Sequence, residues 1–312
     1  MNKRCLSCYG ILESNEVDFH RRCSRKFFGQ DHAPQWNWDE KGIESQAIEH
    51  VSRKWAIPGV QPKLSVSWNK RLEANPRMTI IGMLGGYILK LPAKDFPFLP
   101  EVEDLTMHLA RIARIDVVPH TLIRMGNGDL AYLTKRIDRV GPQKLAMEDM
   151  CQLSGRLTED KYKGSVEQIA KIILRFSANP GLDVVNFFEQ VLFAYLTGNA
   201  DMHLKNYSLI EYPERGYVLS PAYDLVATHL VNPQDDEETA LPLNGKKKRL
   251  RKNDFTNVFG AFGLDAKQQT NLFAKFEGVL SQWNDQIQQS FLSAEMKQAY
   301  IDLVAIRWKT IS

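Results

Sequence analysis

The sequence predicts an α+β fold in two lobes, because strand-like patterns fill the first half of the chain and helical patterns the second. Between about residues 60 and 91, apolar and polar residues alternate in short runs such as Leu64-Ser65-Val66-Ser67, which is typical of strands. After about residue 140, apolar residues recur mainly at helical spacing. We therefore expect a Cys/His segment over 1–30, a strand-rich lobe over 31–139 and a helical lobe over 140–312.

Within the strand-rich lobe, a helix is predicted to begin at Pro100-Glu101, because proline and acidic residues suit the first turn of a helix. Its buried stripe would comprise Leu105, Leu109 and Ile112. A hairpin is predicted where residues 121–125 and 130–133 flank a Gly-Asn-Gly-Asp turn. A hinge between the lobes is expected near Lys135–Arg139.

In the helical lobe, an apolar helix is predicted over Phe187–Tyr195, with strand-like runs at 207–210 and 217–219. A later amphipathic helix is predicted from one apolar stripe. The stripe comprises Leu272, Phe276, Val279, Trp283 and Ile287.

The composition is that of an ordinary globular protein. Of 312 residues, 44% are hydrophobic and 25% charged, and a formal net charge of +3 is too small to imply a dominant nucleic-acid surface. No apolar run approaches the roughly 20 residues of a membrane span, and the N-terminus lacks the apolar core of a signal peptide. The four cysteines are unevenly placed and do not form a disulfide framework. These features predict a cytoplasmic protein with no membrane partner.

The strongest chemical pattern is Asn-Ala-Asp-Met-His-Leu-Lys-Asn at 199–206, followed by Ser-Pro-Ala-Tyr-Asp at 220–224. Phosphoryl transfer needs one carboxylate to orient a hydroxyl, and an Asn and a second Asp to hold Mg²⁺ on the phosphates. Asp201, Asn206 and Asp224 have the spacing of the catalytic loop and metal site of protein-kinase-like enzymes. Asn and Asp also favour ordinary turns. The pattern predicts a kinase that uses ATP and Mg²⁺, with a bilobal protein-kinase-like fold.

Two further residues of this loop are candidates for the same site. Lys205 is placed to contact a phosphate, and His203 to support the loop from within.

Lys90 ends the apolar run Tyr87-Ile88-Leu89, where a kinase needs a lysine that reaches the nucleotide phosphates and pairs with a carboxylate of the next helix. Either Glu101 or Glu103 could supply that carboxylate. The alternative is an exposed lysine at the end of a strand.

The segment Gly59-Val60-Gln61-Pro62-Lys63 precedes the first predicted strand and is a candidate for the loop that covers the phosphates. It lacks the G-x-G-x-x-G spacing of eukaryotic protein kinases, and an ordinary turn fits the sequence equally well.

Cys5-x-x-Cys8 and His20-x-x-Cys23 offer four ligands with spacing typical of zinc sites. Reduced cysteines packed as small hydrophobes are the alternative. A basic run at 246–252 is a solvated loop or, alternatively, a contact for phosphate or nucleic acid.

Six stretches in order resemble the HipA-like serine/threonine kinases of bacterial toxin–antitoxin systems. They lie at 57–64, 87–92, 135–139, 148–153, 199–206 and 220–224. The Gln-x-Lys loop and the D-x-H-x-K-N form distinguish this family from ordinary eukaryotic kinases. The chain reaches the Gly-rich loop within its first 60 residues. It thereby resembles HipT, the compact toxin of HipBST systems, whose N-terminal subdomain is supplied by the small protein HipS.

The resemblance implies that Asp201 is the catalytic base, that Asn206 and Asp224 bind Mg²⁺, and that Lys90 binds the ATP phosphates. The backbone around Lys135–Ile137 would receive adenine. The family phosphorylates serine or threonine on proteins such as aminoacyl-tRNA synthetases and so arrests translation. Its usual partner is a helix-turn-helix antitoxin of the HipB type, so contact with DNA would be indirect.

One departure concerns regulation. The family autophosphorylates serines in the Gly-rich loop, whereas Ala56 and Pro58 occupy the corresponding positions of this chain and carry no hydroxyl. Either self-inactivation uses another position, or Ala56 is a substitution that replaces a regulatory serine, and autophosphorylation of this loop is not implied.

Two other functions fit the same residues. A small-molecule kinase of the aminoglycoside or sugar type shares the loop chemistry. A binding module within an antitoxin–DNA complex would use the basic run at 246–252.

Overall fold

The computed structural model describes residues 3–34, 63–69, 77–80, 85–141 and 143–312. These fall into two compact units. Unit 1 comprises Met1–Asp104, Val118–Ile137 and Gln289–Phe291, and unit 2 comprises Leu105–Val117, Asp138–Gln288 and Leu292–Ser312. One boundary between the units, at Ile137 and Asp138, falls within the segment where the sequence places the hinge. No helix in these ranges has the length and apolar character needed to cross a membrane.

Unit 1 is built around an antiparallel sheet of five strands in the order β2-β1-β3-β5-β4. The strands are β1 (Lys63–Asn69), β2 (Arg77–Ile80), β3 (Tyr87–Lys90), β4 (His120–Arg124) and β5 (Leu130–Lys135). Helix α1 is Arg21–Phe28, and helix α2, Leu99–Ile112, begins in this unit. The predicted strands and the predicted hairpin are confirmed, with β4 and β5 paired from His120↔Thr134 to Arg124↔Leu130.

One face of the sheet forms the core of unit 1. Val66, Leu89, Ile123 and Leu133 are buried there together with apolar residues of the N-terminal segment. Alternation along each strand directs these side chains to one face, so the N-terminal segment covers the sheet.

Helix α2 begins at Leu99, one residue before the predicted start. Leu105 and Leu109 are fully buried as expected, while Ile112 is only half-buried. The helix also carries Glu101 and Glu103 at its start.

Unit 2 is mainly helical. Its helices are α3 (Met150–Leu153), α4 (Val166–Phe176), α5 (Pro180–Leu196), α6 (Thr228–Val231), α7 (Lys252–Ala261), α8 (Ala266–Glu277), α9 (Leu280–Gln289) and α10 (Ala294–Ile311). Strands β6 (Arg139–Val140) and β7 (Gln143–Lys144) pair with each other. Strands β8 (Met147–Asp149), β9 (Ser208–Tyr212) and β10 (Gly216–Leu219) form an antiparallel sheet in the order β10-β9-β8.

The predicted single helix along the stripe from Leu272 to Ile287 is wrong, because the structure has α8 and α9 there. The break falls at Gly278, whose residue type has the lowest helix propensity after proline. The Gly278 N–H still donates to the Ala274 carbonyl, at 3.0 Å, and so closes α8. The Trp283 indole lies on α9 and donates to the Leu109 carbonyl at 2.9 Å, so the stripe remains buried across the break.

Candidate active site

The predicted catalytic loop follows helix α5, whose C-terminal end is closed by a glycine. After α5, the Gly198 N–H donates to the Tyr195 carbonyl and the Asn199 N–H to the Ala194 carbonyl, which is the Schellman arrangement. Gly198 has a φ of 68°, and a Cβ there would lie 2.6 Å from Leu303 Cδ2. Only glycine satisfies both conditions without strain, so the direction of the loop is fixed at this residue.

Backbone groups of the loop are held by polar side chains. The Ala200 N–H donates to Thr228 Oγ1 at 2.8 Å, and the Thr228 hydroxyl donates to the Gly198 carbonyl at 3.2 Å. Asn199 Oδ1 accepts the Asp201 N–H at 3.1 Å, which forms an Asx turn. These bonds define the position of Asp201 before any ligand binds.

Asp201 and Asn206 lie close together. The Asn206 side-chain amide donates to the Asp201 carbonyl at 2.9 Å, from the short 3₁₀ turn Leu204–Asn206. Because the amide nitrogen is used in this way, the amide oxygen is directed to the other side, where it is available as a ligand. The side chain of Asp201 accepts a hydrogen bond from the Tyr162 hydroxyl at 2.6 Å.

Tyr162 was not anticipated from the sequence. It lies 39 residues before Asp201 and belongs to no recognisable motif. Burial and the hydrogen bond to Asp201 raise the pKa of the Tyr162 phenol, so it donates to Asp201 as a neutral group.

Asp224 lies in a strained segment that is tied to the catalytic loop. Its φ of 55° is left-handed, which is unfavourable for a residue other than glycine and recurs at functional sites. The hydroxyl of the preceding Tyr223 donates to the Lys205 carbonyl at 3.1 Å and also bonds to Ser208. The second motif is therefore fixed to the end of the first. Tyr223 belongs to the motif, but this bridging role is not visible in the sequence.

His203, in the same loop, is buried. Burial lowers the pKa of its imidazole, while the nearby charges of Asp201 and Asp224 act in the opposite direction. The ring also meets Tyr162 edge-on, with 5.1 Å between centroids.

Lys205 is part of an ion pair with Asp149. Its ammonium lies 2.6 Å from Asp149 Oδ2, while Asp149 Oδ1 accepts the Gln152 N–H and so caps α3. The capping-box spacing from Asp149 to Gln152 is visible in the sequence, but its contact with Lys205 is not.

In unit 1, the ammonium of Lys90 lies 2.5 Å from Glu103 Oε1, and the two side chains are only 5% and 1% exposed. Of the two partners considered, the structure selects Glu103. Glu101 lies two positions away and therefore faces another direction on the helix. Burial raises the pKa of the Glu101 carboxyl to about 7, and the charges of Asp104 and Asp129 add to that effect.

The remaining candidates for nucleotide contact are only partly described. Lys63 opens β1 and lies directly across from Lys90 in the strand register. The N–H of Lys135 donates to the Pro119 carbonyl and that of Arg136 to the Gly86 carbonyl, both at 2.9 Å. Gly59, Val60, Gln61, Ala56 and Pro58 lie outside the described residues.

The four predicted zinc ligands do converge. One ligand atom from each residue lies within 4.8 Å of all the others in unit 1, and the residues are Cys5, Cys8, His20 and Cys23.

Three lysines of the basic run form ion pairs within unit 2. Lys246 pairs with Asp254 at 2.8 Å, Lys247 pairs with Glu237 at 3.0 Å, and Lys248 pairs with Asp236. These pairs favour the expectation of a solvated loop over that of a nucleic-acid contact.

Residues 55–283 match the HipA-like C-terminal domain family. The chain belongs to this family. The match includes every predicted residue of the catalytic loop and the metal pair, and it excludes the Cys/His segment.

Two relatives show how far the similarity extends. The chain is 32% identical over 228 residues to Y4dM of Sinorhizobium fredii, named as a candidate kinase, covering 69% of this chain and 55% of Y4dM. It is 30% identical over 277 residues to a Haemophilus influenzae protein of the same description, covering 80% of this chain and 78% of that protein. The chain thus spans little more than half the length of Y4dM.

Solved structures share the fold. The HipA of Shewanella oneidensis, in a complex with HipB and operator DNA, aligns with a TM-score of 0.70 at 20% identity, covering 97% of this chain and 74% of that chain. The Helicobacter pylori kinase CtkA aligns with a TM-score of 0.57 at 14% identity, covering 83% of this chain and 92% of that one. The predicted kinase-like α+β fold is confirmed.

Proposed function

We propose that the chain is a protein serine/threonine kinase that transfers the γ-phosphoryl group of ATP. The observation that carries the proposal is the grouping of Asp201, Asn206 and Asp224 around one hydrogen-bonded loop in unit 2. Membership of the HipA-like family and the names of the relatives support it.

Asp201 is assigned the role of catalytic base. Its carboxylate accepts a hydroxyl hydrogen bond from Tyr162, which supports its capacity to accept one from a serine or threonine. The Asx turn from Asn199 and the Asn206 amide restrain the backbone on both sides of Asp201, so the carboxylate needs little rearrangement to act.

Asn206 and Asp224 are assigned to Mg²⁺. An amide oxygen and a carboxylate form the hard-oxygen donor set that Mg²⁺ prefers, so the residues present fit the ion. Bound Mg²⁺ would neutralise charge on the phosphates. His203 is buried with a lowered pKa, and we assign it to positioning the loop as a neutral ring. Lys205, paired with Asp149, is available to a phosphate only by exchanging that partner.

Lys90 is assigned to the ATP phosphates, with Glu103 holding its ammonium in place. Lys63 and the Gly59-Val60-Gln61 segment stay predictions for the same nucleotide. The backbone N–H of Ile137 is the proposed contact for adenine.

The toxin role is also proposed. The aligned HipA structure contains HipB and operator DNA, which supports a HipB-like helix-turn-helix antitoxin as partner and DNA contact only through it. A cytoplasmic location follows from that role. An aminoacyl-tRNA synthetase as substrate, the HipT subtype and a HipS-like partner stay predictions from the resemblance.

The test is transfer of label from γ-labelled ATP with Mg²⁺ into proteins of a bacterial lysate, with wild-type protein beside Asp201→Asn. We expect a discrete labelled protein, and a loss of about 100-fold or more in the variant, the range of general-base catalysis. Asp302→Asn, which removes an exposed carboxylate on α10, is the matched control and should retain transfer.

Unchanged labelling by a folded Asp201→Asn variant would contradict the assignment. Label on a small molecule rather than on protein would instead support a small-molecule kinase.

A further inference from the structure

The N-terminal Cys/His cluster has the dimensions of a metal site. Tetrahedral zinc with bonds of about 2.3 Å to sulfur and about 2.0 Å to nitrogen separates its ligand atoms by roughly 3.5–3.8 Å. His20 Nδ1 lies 3.3 Å from Cys8 Sγ and 3.8 Å from Cys23 Sγ, and the four ligand atoms lie within 4.8 Å of one another. The atoms are therefore already spaced almost as zinc requires.

The imidazole of His20 is oriented for a metal. Its Nε2 lies 2.9 Å from the Ile11 carbonyl, which can only accept, so Nε2 carries the hydrogen. The neutral ring then presents the lone pair of Nδ1 to the sulfurs of Cys8 and Cys23. A backbone carbonyl behind the second nitrogen is the usual outer partner of a metal-bound histidine.

The backbone of the first cysteine pair is shaped around the sulfurs. The His20 N–H donates to Cys5 Sγ at 3.4 Å, a type of bond that stabilises a thiolate. Tyr9 has a left-handed φ of 62°, and a Cβ on Gly10 would lie 3.2 Å from His20 Cε1 and 3.5 Å from Cys8 Sγ. The strained turn and the missing Cβ let the two ligand pairs approach closely.

The cluster joins two parts of the segment that packs on the sheet. Cys5 and Cys8 lie in the turn after which Tyr9 donates to Asp104 at 2.7 Å, while Cys23 lies in α1, whose Phe27 and Phe28 are buried against the sheet. A metal bound by these residues would connect the turn to α1 and hold both on the sheet of unit 1.

We propose that Cys5, Cys8, His20 and Cys23 bind one structural zinc ion, which holds the N-terminal segment on the sheet of unit 1. Four protein ligands complete a tetrahedral shell and leave no open position for a substrate, so the site is structural rather than catalytic. Three soft sulfur ligands and one imidazole favour zinc over Mg²⁺, so the proposed catalytic ion does not compete for this site.

The test is the zinc content of the full-length protein after purification under reducing conditions and exhaustive dialysis. We expect about one zinc per chain in the wild type and at least a tenfold loss in Cys23→Ser, because removing one ligand of a closed site abolishes tight binding. Cys151→Ser is the matched control, since Cys151 lies in unit 2 and donates to the carbonyls of Arg156 and Leu157. It should keep its zinc.

A rescue variant separates ligand loss from misfolding. His20→Cys restores four ligands and should retain zinc, whereas His20→Ala should lose it. Cobalt substituted into the wild type should give the ligand-field bands of a tetrahedral thiolate site, and these bands should disappear in Cys23→Ser.

A wild-type protein that carries no zinc and gives no cobalt spectrum overturns the proposal. Equal zinc in wild type and Cys23→Ser also overturns it. The result is independent of kinase activity, because Asp201→Asn should contain as much zinc as the wild type.

Discussion

The two units position the side chains proposed for catalysis by different means. In unit 2, Asp201 is placed mainly by hydrogen bonds to backbone groups, from Asn199, Asn206 and Thr228. In unit 1, Lys90 is placed by a buried charge partner, Glu103. Removing one partner of a buried ion pair costs more stability than removing one of several hydrogen bonds. A substitution in the buried ion pair of unit 1 should therefore lower the free energy of unfolding more than a substitution in the hydrogen-bonded loop of unit 2.

The largest effect is expected at the buried ion pair. Lys90→Met leaves the Glu103 carboxylate buried without its cation and should lower the free energy of unfolding by about 3–5 kcal/mol. Urea unfolding without nucleotide measures it. The double variant Lys90→Met/Glu103→Leu should recover much of the loss, because an apolar pair of similar volume replaces the ions.

Lys63→Met is the control for this experiment, since Lys63 is exposed directly across the strand pair from Lys90. It should change stability by no more than about 0.5 kcal/mol. Equal losses of stability in Lys90→Met and Lys63→Met would show that the loss at Lys90 comes from its position in the sheet and not from its buried ion pair.

The second largest effect is a change of folding stability with pH, on the order of 3 kcal/mol, caused by Glu101. The unfolded chain ionises this carboxyl near 4.5, whereas burial raises its pKa in the folded protein to about 7. Its stabilising contribution is therefore complete below pH 4.5 and is lost as pH rises to about 7. Glu101→Gln should flatten the change of urea midpoint with pH across this window.

The exposed Glu295 of α10 provides the matched control, and Glu295→Gln should leave that pH profile as it is. A Glu101→Gln protein whose profile still matches the wild type would show that burial of Glu101 is not the cause.

The smallest effect is expected at the loop in unit 2. Thr228→Val keeps the side-chain shape but removes the acceptor for the Ala200 N–H, at a cost of about 1–2 kcal/mol. Differential scanning calorimetry measures the loss. Thr270→Val on α8 removes an exposed bond to the Ala266 carbonyl and should be nearly neutral. A loss at Thr228 as large as that at Lys90 would contradict the proposed difference between the units.

Local structure was largely predictable from the sequence. The strands, the hairpin and the start of α2 follow from alternation, turn chemistry and first-turn residues, which act within a few positions along the chain. The break at Gly278 was missed because the apolar stripe continues across it. Periodicity reports which face is buried, and both helices bury the same stripe.

The sequence by itself determined the candidate residues for the chemistry, because the spacing from Asp201 to Asn206 and Asp224 and the two proposed ligand pairs at the N-terminus can be read directly from the chain. The tertiary structure alone decided which distant groups meet them. It selected Glu103 for Lys90, Tyr162 for Asp201 and Asp149 for Lys205, and it brought Cys5 and Cys8 to His20 and Cys23. Local preferences follow from neighbouring residues, whereas contacts between distant residues depend on how whole segments pack.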